Sequence, residues 1–200
     1  MAAIVQTLRE QFPESIVAEQ ATRDGIPTLW VGSGDIVPML SYLKSDIPQP
    51  YSFLYDVSAI DERSRAHRDG QPDSDFTVVY HLLSYERNAD VRLKVALKGD
   101  QPSLPSIVSV WPMANWYERE IFDMFGIAFT DHPNLRRILM PQFWQGHPLR
   151  KEHHARATEV PPLRLTDEMV DAEQEALLIR PEDWGMKRES EDSDFMFLNL

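Results

Sequence analysis

Val91, Leu93, Val95 and Leu97 hold every second position of a run whose intervening places are Arg92, Lys94 and Ala96. Only an extended chain sends alternate side chains to opposite sides, so this run predicts a strand with one apolar and one polar face. Residues 51–60 and 76–85, rich in aromatic and β-branched side chains, read as two further strands. Asn88-Ala89-Asp90 is the expected hairpin turn before the alternating run, and 61–74 a polar surface loop. Upstream, Ile4, Val5, Leu8 and Phe12 recur at helical spacing before Pro13, which predicts a helix over 3–12. Residues 15–21 and 26–31 flank Arg23-Asp24-Gly25 and read as a β-hairpin. Asp35 is placed to cap a helix with Ile36, Val37, Leu40 and Leu43 on one stripe. Residues 103–111 fit a strand or a short helix equally. Trp116, Tyr117, Ile121, Met124 and Phe125 then share a helical face that Gly126 is suited to end.

The order α-β-β-α-β-β-β-α predicts an α+β fold in two layers, a mixed sheet with helices on one face. After Thr130, Pro133, Pro141, Pro148, Pro161 and Pro162 interrupt regular structure, so an extended, turn-rich C-terminal tail should follow. A second amphipathic helix is expected at 166–179 with Thr166 as cap, a charged connector at 186–194, and a strand-like apolar stretch at 195–200. We divide the chain into a domain over 1–151 and a connector over 152–200. Charge changes at that boundary. Arg136, Arg137, Arg150 and Lys151 stand in 132–151 without any Asp or Glu, whereas 152–200 holds 13 acids against 5 bases.

Several functional classes drop out on composition. No window approaches the roughly 18 consecutive apolar residues of a membrane span, and the first residues lack the basic and apolar regions of a secretory signal. A soluble or peripheral protein on the cytoplasmic side is expected. The absence of cysteine removes thiolate catalysis and the usual ligands of iron–sulfur clusters. A net charge of −12 disfavours wholesale nucleic-acid binding, which needs many cations near phosphates.

Three constellations invite chemistry. Val31-Gly32-Ser33-Gly34-Asp35 begins like a dinucleotide-binding loop, but Val37 stands where a third glycine belongs, so a plain glycine turn is the better reading. His132, His147, His153 and His154 lie close to Asp131 and Glu152, yet no two stand at i, i+3 or i+4 on a helix, so surface or interface histidines are favoured over a metal site. Glu118, Arg119, Glu120 and Asp123 crowd two helical turns. Arg119 and Asp123 are expected to pair at i, i+4, and Glu120, nearest the apolar face, to be buried against Arg136 or Arg137 rather than catalytic. No Ser or Thr occupies a nucleophile elbow, so no catalytic, cofactor-binding or metal-binding residue is assigned.

The run Trp116-Tyr117-Glu118-Arg119-Glu120-Ile121-Phe122-Asp123-Met124-Phe125-Gly126-Ile127 resembles the signature of the 30-kDa subunit family of proton-translocating NADH:quinone oxidoreductase, respiratory complex I. The likeness continues through His132-Pro133-Asn134-Leu135-Arg136-Arg137-Ile138-Leu139-Met140-Pro141 and Trp144-Gln145-Gly146-His147-Pro148-Leu149-Arg150-Lys151. One departure follows: Glu152-His153-His154 stands where that pattern usually gives Asp-Tyr-Pro. Residues 184–200 look like the junction at which bacterial fused C/D proteins pass into a 49-kDa-like quinone-site domain. The resemblance implies a scaffold in the peripheral arm that binds no cofactor itself, with FMN and iron–sulfur clusters in partner subunits and NADH and quinone as substrates of the complex. It implies a 49-kDa-like partner, and a peripheral location at the cytoplasmic side of the bacterial inner membrane. On that reading Glu118, Arg119, Glu120, Asp123, Gly126, Arg136 and Arg137 form structural ion pairs. His132, Pro133, Pro141, Trp144, His147, Pro148, Arg150 and Lys151 face the partner. The alternatives are the equivalent small subunit of a membrane-bound hydrogenase or F420-type dehydrogenase, and, from another class, a metal-dependent hydrolase built on the His132–His154 cluster.

Overall fold

The computed structural model describes residues 2–153. The predicted helix at 166–179, the connector, the apolar ending and His154 lie outside the described residues. Helix α1 (Ala2–Gln11) sets Ile4, Val5 and Leu8 inward, and Phe12, just beyond it, meets the ring of Tyr42 edge-on at 5.6 Å. Strands β1 (Ile16–Glu19) and β2 (Thr28–Val31) form the predicted antiparallel hairpin. Its turn uses the positive φ of Gly25, and the Asp24 carboxylate accepts the Ile26 N–H at 3.2 Å.

Helix α2 (Ile36–Ser45) departs from expectation in two details. Its buried stripe is Ile36, Met39, Leu40 and Leu43, with Met39 in the role given to Val37, which is only half-buried. Asp35 makes no side-chain cap bond because its backbone is already helical, whereas a capping residue needs extended φ and ψ to turn its oxygen onto the following amides.

Strands β3 (Phe53–Asp61), β4 (Phe76–Ser84) and β5 (Ala89–Leu97) complete a five-stranded sheet in the order β1-β2-β5-β4-β3. β5 lies at its centre, parallel to β2 and antiparallel to β4. The turn between β4 and β5 falls at 85–88, two to three residues earlier than predicted. Asn88 supplies a positive φ of 49°, so Ala89 and Asp90 already belong to the ladder. The ambiguous stretch resolves into a short strand, β6 (Ser103–Pro105), and a turn. Helix α3 (Ala114–Phe125) and β7 (Ala128–Thr130) follow, with β7 parallel to β6.

Alternation decides where the core lies. Val91, Leu93, Val95 and Leu97 are buried, as are Val78, Tyr80 and Leu82 on β4 and Val57 and Ala59 on β3, and the helices' apolar residues join them in one cluster. Each Leu-sized side chain so enclosed contributes roughly 1.5–3 kcal/mol. The same parity carries Asp61 inward at the end of β3, so the loop predicted at 61–74 begins with two buried carboxylates, Asp61 and Glu62. From Asp131 to His153 the chain forms turns only, and among the described residues no helix is long and apolar enough to cross a membrane.

Candidate functional site

The C-terminal end of α3 organises the segment that follows it. Gly126 closes the helix at φ 70°, ψ 26°, its N–H bonded to the Phe122 carbonyl at 2.9 Å. A helix end leaves its last carbonyls without intrahelical donors, and here the segment 137–150 supplies them. His147 Nδ1 lies 3.0 Å from the Asp123 carbonyl, the Leu149 N–H donates to Met124 at 3.0 Å, and Arg150 Nε donates to Phe125 at 2.5 Å. The cations Arg137 and Arg150 also oppose the negative end of the helix dipole. Packing here is close: a Cβ on Gly126 would sit 2.5 Å from the His147 ring and 2.7 Å from the Arg150 guanidinium.

Asp123 is wholly buried in the same turn. Arg137 Nη1 donates to its Oδ1 at 2.6 Å, while Oδ2 accepts the N–H groups of Ile138, Leu139 and Met140 at 3.0, 2.8 and 2.8 Å. Burial alone would push this carboxyl up. The bonds from Met140, Arg137, Leu139 and Ile138 outweigh it and hold Asp123 below the usual carboxylate range. The sequence expectation of an Arg119–Asp123 pair is therefore corrected. Asp123 reaches across to Arg137 and the three amides, and Arg119 donates to the carbonyls of Arg136 and Arg137, both at 3.2 Å, with its guanidinium over Trp116. Arg137 also reaches the Gly146 carbonyl at 2.9 Å, tying both limbs of the turn.

The other carboxylates are distributed differently from prediction. Glu120 is exposed, and Glu118 is the buried one. The helix begins at Ala114, and Ala114, Glu118 and Ile121 then stack at i, i+4 and i+7 on the inward face, leaving Glu120 outside. Glu118 accepts the Ser106 hydroxyl at 2.6 Å and the Ile107 N–H at 2.7 Å. His132 Nε2 stands 3.9 Å away, but its Nδ1 accepts the Asn134 N–H and its Nε2 faces the Asn115 carbonyl, the arrangement of a neutral imidazole. Burial dominates and raises the Glu118 carboxyl to about 7, against the two bonds that favour its anion.

A second anchor went unassigned in the sequence. Buried Asp61 accepts Arg63 at 2.5 Å and the Lys151 N–H at 2.8 Å, and Arg63 also pairs with Glu152 at 2.6 Å. Burial raises the Asp61 carboxyl, but its bonds to Arg63 and to the Lys151 and Arg63 amides bring it down to about 2. The guanidinium groups of Arg63 and Arg150 both lie on the Phe76 ring, at 4.7 and 5.1 Å. The signal for Asp61 was its inward parity with Val57 and Ala59. Ser106 carried no comparable signal.

The structure separates the histidines. The His132 side chain is buried beneath α3, which corrects its expected place at a partner surface, since its two nitrogens are used inside the domain. His147 packs over Gly126 and the Phe122 ring, and His153 against Trp144 at 6.2 Å. Among the described residues no three metal-ligating side chains converge. Arg150 is likewise turned inward, whereas Lys151 and Pro133 are exposed and Pro141, Trp144 and Pro148 half-buried.

The family described as "Respiratory-chain NADH dehydrogenase, 30 Kd subunit" matches residues 29–159. The chain is 59% identical over 197 residues to the C/D protein of NADH-quinone oxidoreductase from Methylococcus capsulatus, covering 98% of this chain and 34% of that protein. It is 53% identical over 197 residues to the same-named protein of Pseudomonas aeruginosa, covering 33% of it. The chain thus spans about a third of the length of the curated relatives it matches. Among solved structures, a trypsin-resistant fragment of Nqo5 superposes with a TM-score of 0.56 at 22% identity, covering 67% of this chain and 98% of the fragment. A chain of an archaeal membrane-bound sulfane sulfur reductase gives the same score and identity over 78% of this chain and 86% of its own, and both likenesses concern the fold alone. The match over 29–159 and the identity to the C/D proteins show that this chain belongs to the 30-kDa subunit family of the respiratory-chain NADH dehydrogenase.

Proposed function

We propose that this chain is a bracing part of the peripheral arm of a proton-translocating NADH:quinone oxidoreductase, fused ahead of a 49-kDa-like domain. Residues 1–151 form the bracing domain and 152–200 lead towards that partner. On this reading electrons pass from NADH through FMN and iron–sulfur clusters held by other subunits to quinone. The chain binds none of these groups and lies at the cytoplasmic face of the bacterial inner membrane.

The observation that carries the proposal is how the signature residues are used. Asp123, Arg137, Gly126 and Arg150 spend their hydrogen bonds on each other, on the last carbonyls of α3 and on the backbone of 137–150, which is how a rigid support is built. Leu139 and Leu149, 60% and 51% exposed on that braced segment, and the exposed Pro133 and Lys151 offer the surface a neighbouring protein would cover.

Arg137→Ala tests this. It leaves Asp123 buried with three amides and no cation, at a local cost of about 2–3 kcal/mol. On native gels of solubilised membranes the complex should dissociate more readily, while NADH oxidation by the flavin module is unchanged, and Arg137→Lys should recover part of the loss. Assembly indistinguishable from wild type in the alanine variant overturns the bracing role.

A further inference from the structure

The polar face of β5 looks away from the helices, and its cations do not stand alone. Arg92 and Lys94 point to the side opposite Val91, Leu93 and Val95. Arg23 from the β1–β2 turn and Arg68 from the loop after β3 meet them around a cleft of about 520 Å³ that Ala21, Thr22 and Asp24 complete. Four cations thus line one cleft against a single carboxylate, in a chain whose net charge is −12.

That carboxylate is already engaged. Asp24 pairs with Arg92 at 2.6 Å and accepts the Ile26 N–H. Lys94 reaches Gln20 Oε1 at 2.9 Å and lies over the Trp30 ring at 5.3 Å; among the described residues it makes no ion pair, although the Glu62 carboxylate favours its charge. Burial first, and then the charge of Arg92, push the Lys94 ammonium below its ordinary range; Arg68 and Arg65 add to this and Glu62 opposes it. Among the described residues Arg23 and Arg68 make no ion pair, although both stand exposed at the rim. Like charges gathered in this way cost free energy until a counter-charge sits among them.

The lining says what kind of anion fits. Guanidinium forks pair with oxyanions through two parallel N–H···O bonds, and an ammonium adds a point charge. No aromatic ring lines the cleft, so nothing there stacks a nucleobase, and the remaining contacts are a methyl group and a hydroxyl. We propose that the cleft between Arg23, Arg68, Arg92 and Lys94 is a binding site for a compact oxyanion of several negative charges, of the polyphosphate class. The site lies on the sheet face away from the helices and shares no residue with the brace around α3.

Isothermal titration of the 200-residue chain with inorganic tripolyphosphate at physiological salt tests the site. One molecule should bind per chain. Arg68→Gln and Arg23→Gln, both at exposed positions that leave the core untouched, should each weaken binding about tenfold, the loss of one charge-assisted pair. Asp24→Asn keeps the acceptor for Ile26 and removes the competing charge, so it should tighten binding a few-fold. Lys98→Gln changes net charge equally outside the cleft and should leave affinity unchanged. Absence of saturable binding, or equal weakening by Lys98→Gln, overturns the proposal. Citrate binding as tightly with the same variant pattern overturns the polyphosphate assignment. So does tripolyphosphate binding that appears only after Glu189, Glu191, Asp192 and Asp194 are neutralised, because the occupant would then be the chain's own acidic segment.

Discussion

Glu118 and Asp123 are five residues apart on one helix, both are fully buried, and their environments drive them in opposite directions. Glu118 has two neutral donors and no cation, so burial wins and its carboxyl sits at about 7. Asp123 has three amides and a guanidinium, so its anion is held. The signs for stability follow. A group raised from 4.5 to about 7 binds more protons in the folded chain, so its contribution is complete below about 4.5 and is lost as pH rises through about 7. The depressed Asp61 and Asp123 do the reverse: their contribution is present above the ordinary aspartate value and lost as pH falls below it, for Asp61 towards about 2. Glu118→Gln keeps the shape and can still accept Ile107 N–H while donating to Ser106, so it mimics the protonated acid. Urea denaturation should find it roughly 1–3 kcal/mol more stable than wild type at pH 8 and nearly equal at pH 4.5. Parallel pH profiles for the two proteins would refute the assignment.

At the scale of elements, strands and helices were legible because each carries its own period. The alternation at 91–97 placed β5 and its inward face, and the same rule applied to Val57, Ala59 and Asp61 would have revealed the second anchor. What misled was helix phase and partner choice. The face drawn through Trp116, Ile121 and Met124 lies nearest Glu120, whereas the inward stack of Ala114, Glu118 and Ile121 buries Glu118 and leaves Glu120 outside. An i, i+4 pair is visible in sequence, but three amides at 138–140 become donors only when a later turn folds back onto the helix. Gly126, expected to end the helix, proved to carry a further demand. Gly126→Ala must hold an L-residue at φ 70° and displace His147 and Arg150. We expect a loss of about 2–4 kcal/mol and faster tryptic cleavage after Arg137 and Arg150, read by limited proteolysis. Unchanged cleavage at both arginines would show that the glycine does not hold the segment in place.

Across the whole molecule, β5 joins what the chain order keeps apart. Leu93 lies at the centre of the sheet, wholly buried, opposite Leu29 on β2 and Tyr80 on β4. Leu93→Ala should cost about 2–5 kcal/mol, and fluorescence and far-ultraviolet circular dichroism should report one coincident transition. Separate transitions for the two signals would mean that the hairpin and the rest fold independently. The central position of β5 also fixes an order of events on the ribosome. The β1–β2 hairpin, complete by residue 31, has no sheet to join until residues 92–94 emerge to pair with it. Loop closure over that distance is slow compared with closing a hairpin. The last carbonyls of α3 then wait for residues 147–150. A nascent chain stopped between residues 84 and 92 therefore exposes two unfinished sheet edges, and the domain closes late, first at the middle of the sheet and then at the end of α3.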